Sequence, residues 1–389
     1  MRLLADNPSM EFLRREAKDL LSALRESDGR ATLADAQRTI AEEYGFRTWS
    51  ELKTEVDRRR EDIPRAPEGL AEGVASAFGF GTVTAPMSPI RYEYMGRRWE
   101  LHTERGRFVV RPVFDWIDDR QAEIAVDLQE RARSVGVRSP VAMRTPDGGL
   151  VRRVLDQSWR VEHWIDVGPT PVEKPVQPAV AKRVGVILAA IHEVAPRTDR
   201  PIQGRWVSPA DRPTEAKWQA LLDRSRAADM PWVDDLAALS PTIEQLTAVT
   251  EEPPQDSIVI TNCDLGVGQM RTGPGGDLVV MHWDFAGPMV PEWELATTLF
   301  HSTQEGSNLE AARALSAGYR ERRGYTPSLT LGSFCSVITG WLTWLLHRAW
   351  KAADPQPSEK REFERRSVSE VLAEPLTVSK LNALLDAIS

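Results

Sequence analysis

Cysteine is nearly absent: Cys263 and Cys335 are the two in 389 residues. Two thiols cannot build a disulfide framework, and no C-x-x-C pair is present to hold zinc. Histidine is sparse as well, with six residues (102, 163, 192, 282, 301 and 347), no H-E-x-x-H string and no close pair. A dedicated histidine metal site is therefore not expected. Lysine is the third scarcity: of 49 basic residues 41 are Arg and 8 are Lys, with no lysine between Lys53 and Lys174. Long apolar runs are missing too. The most apolar stretch, 334–350, is broken by Ser336, Thr339, Thr343, His347 and Arg348. It falls short of the ~20 apolar residues needed to cross a bilayer. Residues 1–20 carry charges throughout and lack an apolar h-region, so no signal peptide is expected and the location reads as cytoplasmic. Nor is there a basic excess. The 49 basic against 57 acidic residues leave a net charge of −8, and a cut at residue 64 leaves 12 basic against 14 acidic before it and 37 against 43 after it. Neither part has the electrostatic footprint of a nucleic-acid binder, so neither nucleic acid nor membrane is expected as a partner.

What remains is an ordinary globular composition, 41% apolar and 27% charged, in a chain long enough for two or three domains. Ser9 precedes 10–25, where Met10, Leu13, Ala17, Leu20, Leu21 and Leu24 recur at helical spacing before Asp28-Gly29. A second helix is predicted over 33–43, with Leu33, Ala36, Ile40 and Ala41 on one side. Thr48, with Glu51 three residues on, reads as a capping box opening a third helix over 49–60. This helical unit, 1–64, has a core too small to stand alone, so it is expected to pack on the rest of the chain or on a partner protein. The string LADAQRTIAEEYGFRTWSELK, 33–53, resembles a helical leader at the front of many bacterial proteins, often before ankyrin repeats. No ~33-residue period follows here, and the resemblance implies no chemistry.

Residues 61–73 are punctuated by proline and glycine and read as a linker. Strands are predicted at 92–102 and 107–113, joined by the turn 103–106, and one or two more within 151–164. Helical patterns cover 120–135, 179–193, 213–227 and 242–250, and dominate again from 292 onward, with short strands at 258–261 and 278–283. A strand-rich part, 65–165, followed by a helical part, 166–389, is an α+β plan.

The chemistry concentrates in 258–291. Two apolar strands flank the polar loop Asn262-Cys-Asp-Leu-Gly-Val-Gly-Gln269, and Asp264 and Asp284 sit twenty residues apart near the strand ends. A hairpin-like return would bring the two carboxylates together, as a general base and a metal ligand for phosphoryl transfer. By themselves, two loop aspartates read as turn caps.

Order and spacing add a resemblance. TNCDLGVGQM resembles the catalytic loop of the aminoglycoside phosphotransferase and choline kinase families, H-x-D-L-x-x-x-N, and MHWDFAGP resembles their metal-binding segment, I-D-W-x-x-A-G-P. RFVVR (107–111), Ala122-Glu123, VEHWIDVG (161–168) and VGVILAAIH (184–192) resemble, in order, the strand with the nucleotide-contacting basic residue, the helix-C glutamate, the interlobe hinge and the L-G-x-x-L-A-x-L-H helix. GWLTW (340–344) and 375–385 resemble actinobacterial members. The match runs from about residue 75 to the end. It implies a two-lobed protein-kinase-like α+β fold using ATP or GTP with Mg²⁺ to phosphorylate a hydroxyl of a small molecule, aminoglycoside-like or another natural product, or of a peptide. Asp264 stands at the catalytic-base position and Arg111 with Glu123 at the phosphate clamp. Trp164 and Asp166 stand in the nucleotide-side hinge, and Gln269, His282 and Asp284 on the metal side.

Departures from the pattern are specific. Asn262 replaces the usual His and Gln269 the usual Asn; His282 stands where the metal-binding Asp is expected, and 87–96 has a single glycine where a phosphate-covering loop is expected. Mg²⁺ prefers hard oxygens, so Gln269 still offers an amide oxygen, whereas His282 offers a nitrogen and no negative charge. His282 and Asp284, two apart on a strand-like segment, point the same way, which makes Asp284 the alternative ligand. Two other functions stay open: a pseudokinase that binds a ligand or partner without transfer, and a kinase fold repurposed around Asp264 and His282 as an acid/base pair. His192 reads as a packed helix-end residue, and Cys263 as a small apolar filler or a reactive thiol. Trp159, Trp164, Trp283, Trp293, Trp341 and Trp344 read as core or as stacking surfaces. Glu292 and Glu294 stand near the position where relatives carry an Asp.

Overall fold

Apolar residues recurring every three to four positions produce three N-terminal helices, α1 (Met10–Ser27), α2 (Leu33–Glu43) and α3 (Trp49–Glu61). The structure is a computed structural model and describes residues 10–389 apart from 28, 30, 62–64, 94–95, 115–116, 169–174, 203–207 and 355–357. The expected Ser9 cap, Asp28 and the tip of the 87–96 segment thus lie outside the described residues. Met10, Leu13 and Ala17 meet Ile40 and Ala41 of α2 and Leu52 and Val56 of α3 in a small core of their own. Thr48 Oγ1 accepts from the Glu51 N–H at 3.1 Å, but the Glu51 carboxylate reaches past Thr48 to the Arg47 N–H at 3.0 Å. The predicted capping box is half formed there. A complete one stands at Thr32 and Asp35 instead, opening α2.

The last residues of the expected linker, 70–73, instead open a helix, α4 (Leu70–Ala77). Glycine inside it is a packing device. A Cβ on Gly73 would come within 2.5 Å of Val154 Cγ1, so its absence lets α4 lie close on the sheet. That sheet has five antiparallel strands, β1 (Val83–Glu93), β2 (Gly96–Thr103), β3 (Gly106–Pro112), β4 (Arg152–Val154) and β5 (Gln157–His163), in the order β1-β2-β3-β5-β4. The glycine-poor segment 87–96 is thus mostly strand and returns through a hairpin closed by Glu93 and Gly96. Side chains alternate across a pleat. Trp99, Leu101, Phe108, Val110, Trp159 and Val161 make the apolar face with α4, while the register puts Arg98, Glu100, Arg111, Arg160 and Glu162 on the other.

Contacts divide the chain into one unit of Met1–Asp119 with Val141–Trp164 and a second of Arg120–Pro140 with Ile165–Ser389. The second is mainly helical: α5 (Asp119–Ser134, its first residue apart), α6 (Pro178–Val194), α7 (Glu215–Ala227), α8 (Val233–Ala238) and α9 (Ser240–Ala248) precede the short strands. After them come α10 (Pro291–Ser302), α11 (Leu309–Arg323), α12 (Cys335–Ala353), α13 (Ser358–Ala373) and α14 (Val378–Ile388). Two glycines let α6 and α11 approach at backbone distance. A Cβ on Gly185 would lie 2.0 Å from the Leu315 carbonyl oxygen, and one on Gly318 would lie 2.0 Å from that of Lys182. No helix among the described residues is long and apolar enough to cross a membrane.

The four short strands are β6 (Val259–Thr261), β7 (Met270–Thr272), β8 (Leu278–Val280) and β9 (Gly287–Met289). The segments at 258–261 and 278–283 do not return directly on each other. β7 pairs with β8, and this ribbon is nested inside the β6–β9 pair. Thr261 opposite Gly287 and Met270 opposite Val280 leave two connectors, 262–269 and 281–286, lying between the same pairs of strands.

Candidate active site

The nested ribbons bring the Asp264 loop and the Asp284 segment together, and side chains then lock them. Asn262, 1% exposed, is a two-way strut: its Oδ1 accepts from the Asp264 N–H at 3.2 Å and its Nδ2 donates to the His282 carbonyl at 2.8 Å. The Met281 N–H donates to the Gln269 carbonyl at 3.0 Å, closing the far end. Gln121 of α5 holds the Asp284 turn by donating from Nε2 to the Ala286 carbonyl at 2.9 Å.

Between Asn262 and Asp264 the backbone turns sharply, with Cys263 at φ 61°, in the left-handed region that non-glycine residues rarely occupy. A buried polar chain holds this conformation. The Cys263 N–H donates to Glu294 Oε1 at 2.6 Å; Glu294 Oε2 lies 2.7 Å from His192 Nε2; His192 Nδ1 lies 2.9 Å from the Tyr319 hydroxyl. With Nε2–H donating to the carboxylate, a neutral ring leaves Nδ1 to accept from Tyr319 O–H. Burial pushes the Tyr319 hydroxyl up, away from ionisation. His192 is therefore packed, as expected, but it also orients the carboxylate that clamps the loop. Cys263 Sγ sits 3.4 Å from Thr261 Oγ1 and 3.3 Å from the Gly287 carbonyl.

Asp264 is half-buried, and its pKa is pushed up to about 7, first by desolvation and then by the negative charge of Glu294. A carboxylate with that pKa can take a proton at neutral pH and release it again. It opens onto a cavity of about 870 Å³ in the second unit, whose wall also includes Gln269, Phe285, Phe300, Trp341 and Trp344. His301 stands on the same wall, exposed at the residue level, and desolvation holds its pKa below the ordinary histidine range. Of the six tryptophans singled out in the sequence, Trp341 and Trp344 line this cavity, whereas Trp159, Trp283 and Trp293 are buried in cores.

The remaining candidates fall in both units. Arg111, 2% exposed, has its Nε 3.1 Å from Glu162 Oε1 on the neighbouring strand, and Arg160 stands opposite it in register. Trp164 ends the same unit; the Arg107 guanidinium carbon lies 3.6 Å from its ring centroid. Glu123, half-buried on α5, and Asp166, exposed, belong to the second unit. Asp284 is buried and His282 half-buried. Among the described residues no three His, Cys, Asp or Glu side chains cluster as a metal site. Of the connector residues assigned to the metal side, the Asp284 carboxylate and the Gln269 amide offer hard oxygens of the kind Mg²⁺ takes, too few to hold the ion without further ligands. Sequence reasoning singled out Asp264 as a candidate but did not anticipate Gln121 as a strut. It set Glu294 near a position where relatives carry an Asp, without anticipating its bond to the Cys263 N–H.

The phosphotransferase enzyme family model matches residues 87–327. Among solved structures, an aminoglycoside phosphotransferase from Alicyclobacillus acidocaldarius is 14% identical, with a TM-score of 0.55 over 85% of this chain and 97% of that one. A spectinomycin phosphotransferase in complex with ADP and spectinomycin is 12% identical, with a TM-score of 0.59 over 83% of this chain and 99% of that one. An amicoumacin kinase in complex with AMP-PNP and Ca²⁺ is 11% identical, with a TM-score of 0.50 over 85% and 97%. The fold is thus the kinase-like α+β fold of these enzymes. No curated protein sequence matches the chain.

Proposed function

Because the chain belongs to the phosphotransferase enzyme family, we propose that it transfers the terminal phosphoryl group of ATP or GTP to a hydroxyl of a small molecule bound in the cavity beside Asp264. One observation carries this reading: a loop clamped at both ends presents a carboxylate with a pKa of about 7 to a cavity large enough for an acceptor. The acceptor oxygen attacks the terminal phosphorus, its proton passes to Asp264, and the bond to the bridging oxygen breaks with its electron pair leaving on the diphosphate.

In the same proposal Arg111 contacts the phosphates, with Glu123, Trp164 and Asp166 on the nucleotide side. Asp284 and Gln269 would be the oxygen donors for a Mg²⁺, which when bound would offset negative charge on the phosphates. The His282 ring nitrogen suits that ion poorly; its backbone carbonyl serves the loop through Asn262. The spectinomycin phosphotransferase with ADP and the amicoumacin kinase with AMP-PNP support a nucleotide as donor. A second reading, ligand binding without transfer, draws on the single carboxylate in the donor set.

The test is a melting experiment followed by a transfer assay. ATP or GTP with Mg²⁺ at ~100 times its dissociation constant adds about 2.7 kcal/mol to the folded state, a shift of a few degrees. Asp264→Asn is expected to keep that shift and to lose phosphoryl transfer by at least ~100-fold. No metal-dependent shift with either nucleotide would sink the proposal; a shift without turnover on a broad acceptor set would leave the second reading.

A further inference from the structure

We propose that the cavity beside Asp264 takes an uncharged alcohol carrying a planar apolar group, and that Trp341 and Trp344 stack on that group. Calling this molecule the acceptor rests on the phosphotransferase reading; its chemical class rests on the wall itself.

Helix α12 carries two apolar stripes where an ordinary surface helix carries one. Leu342, Leu345, Ala349 and Ala352 are fully or almost fully buried in the main core. Val337, Gly340, Trp341 and Trp344, at i, i+3, i+4 and i+7, share a second stripe that lines the cavity. Trp341 and Trp344 are only partly buried, which leaves indole surface for a ligand to cover, and Gly340 adds no side chain between them and Val337. Phe285, half-buried on the Asp284 turn, supplies further aromatic surface, and Phe300 of α10, buried in the core, backs the wall. The cavity, about 870 Å³, lies toward the top of the ~300–1,000 Å³ range of sites for drug-sized ligands.

Charge excludes the other acceptor classes. Besides Asp264, the wall has one carboxylate, Glu305, and one guanidinium, Arg200. A molecule with three or four ammonium groups would leave most of them unpaired against that wall, at a large desolvation cost. A small quaternary ammonium would need aromatic faces free of competing cations. The guanidinium of Arg348 already lies 5.3 Å from the Trp344 ring centroid, and the wall itself carries the positive charge of Arg200. An uncharged planar group meets neither penalty and gains stacking.

The test uses the full chain and three alcohols as probes: phenyl β-glucoside (uncharged, aromatic), choline (quaternary ammonium) and kanamycin (polyamine). Dissociation constants are measured by calorimetry at 50 and 500 mM NaCl, with the nucleotide melting shift recorded on the same preparation. Phenyl β-glucoside is expected to bind tightest, with little change in affinity between the two salt concentrations. Trp344→Ala is expected to weaken it roughly tenfold, and Trp344→Phe to restore most of the loss. Trp341→Ala serves as the second variant should Trp344→Ala lose its cooperative melt. Tighter binding of kanamycin or choline, binding of none of the three, or phenyl β-glucoside binding indifferent to both alanine variants would overturn the proposal. Such a result with an intact nucleotide shift would leave the phosphotransferase reading in place. Tryptophan-dependent binding of phenyl β-glucoside without any nucleotide shift would do the reverse.

Discussion

At the scale of single residues, Asp264 connects chemistry to stability. Its carboxyl is pushed up to about 7 in the folded chain against an ordinary value of 3.8. Between those values the native state holds more protons than the unfolded state, so stability falls as pH rises through the window and the loss is complete above about 7. Asp264→Asn removes the ionisation. The variant is expected to be more stable than the parent by about 2 kcal/mol at pH 8, a figure reduced for partial solvent access, with a clearly smaller difference at pH 5. Urea denaturation at the two pH values measures it. Turnover of the parent should rise with pH through about 7, as the base ionises. Glu294 contributes to the raised pKa and also accepts from Cys263 N–H and pairs with His192. Glu294→Ala is therefore expected to move the midpoint of the pH–rate curve downward. It should also cost about 2–4 kcal/mol, because a buried N–H and an imidazole lose their acceptor. Asn262 does its bracing with an uncharged amide, so its own two hydrogen bonds carry no titration of the kind a histidine at that position would bring.

At the scale of elements, packing explains both what was legible and what was not. The helices α1–α3, α5 and α6 follow apolar periodicity and were placed within a few residues of where they lie. β9 was not, because Gly287-Pro288-Met289 has poor strand propensity and becomes a strand only by pairing with β6. α4 was hidden by Gly69, which caps it, and by Gly73 within it, which is there to admit Val154. The α6–α11 contact makes the same use of glycine. Gly185→Ala would drive a methyl into the Leu315 carbonyl, and the helices must separate to accommodate it. A loss of about 1–3 kcal/mol is expected, read as a lower urea midpoint with unchanged slope. Gly29→Ala, with nothing within 4 Å of the added methyl, is the control.

For the molecule as a whole, the core of α1–α3 shares no residue, among the described residues, with the sheet core or the large helical core. A chain lacking residues 1–61 is accordingly expected to retain the nucleotide-dependent melting shift and Asp264-dependent turnover. Loss of both together with a cooperative melt would show that these helices belong to the folding of the rest. What the sequence determined by itself was whatever depends on near neighbours along the chain. That includes the helical stretches, much of the alternation of strands, and the ordered string of motifs that marks the family. Only the tertiary structure decided the company that Asp264 keeps. Glu294, His192 and Tyr319 are brought behind its loop from three different helices, and Trp341 and Trp344 come to its cavity from a fourth. Those pairings are set by ribbon nesting and by glycine-mediated helix contact. Desolvation and charge at a site are sums over spatial neighbours, most of them far away in sequence, so no local pattern could have shown them.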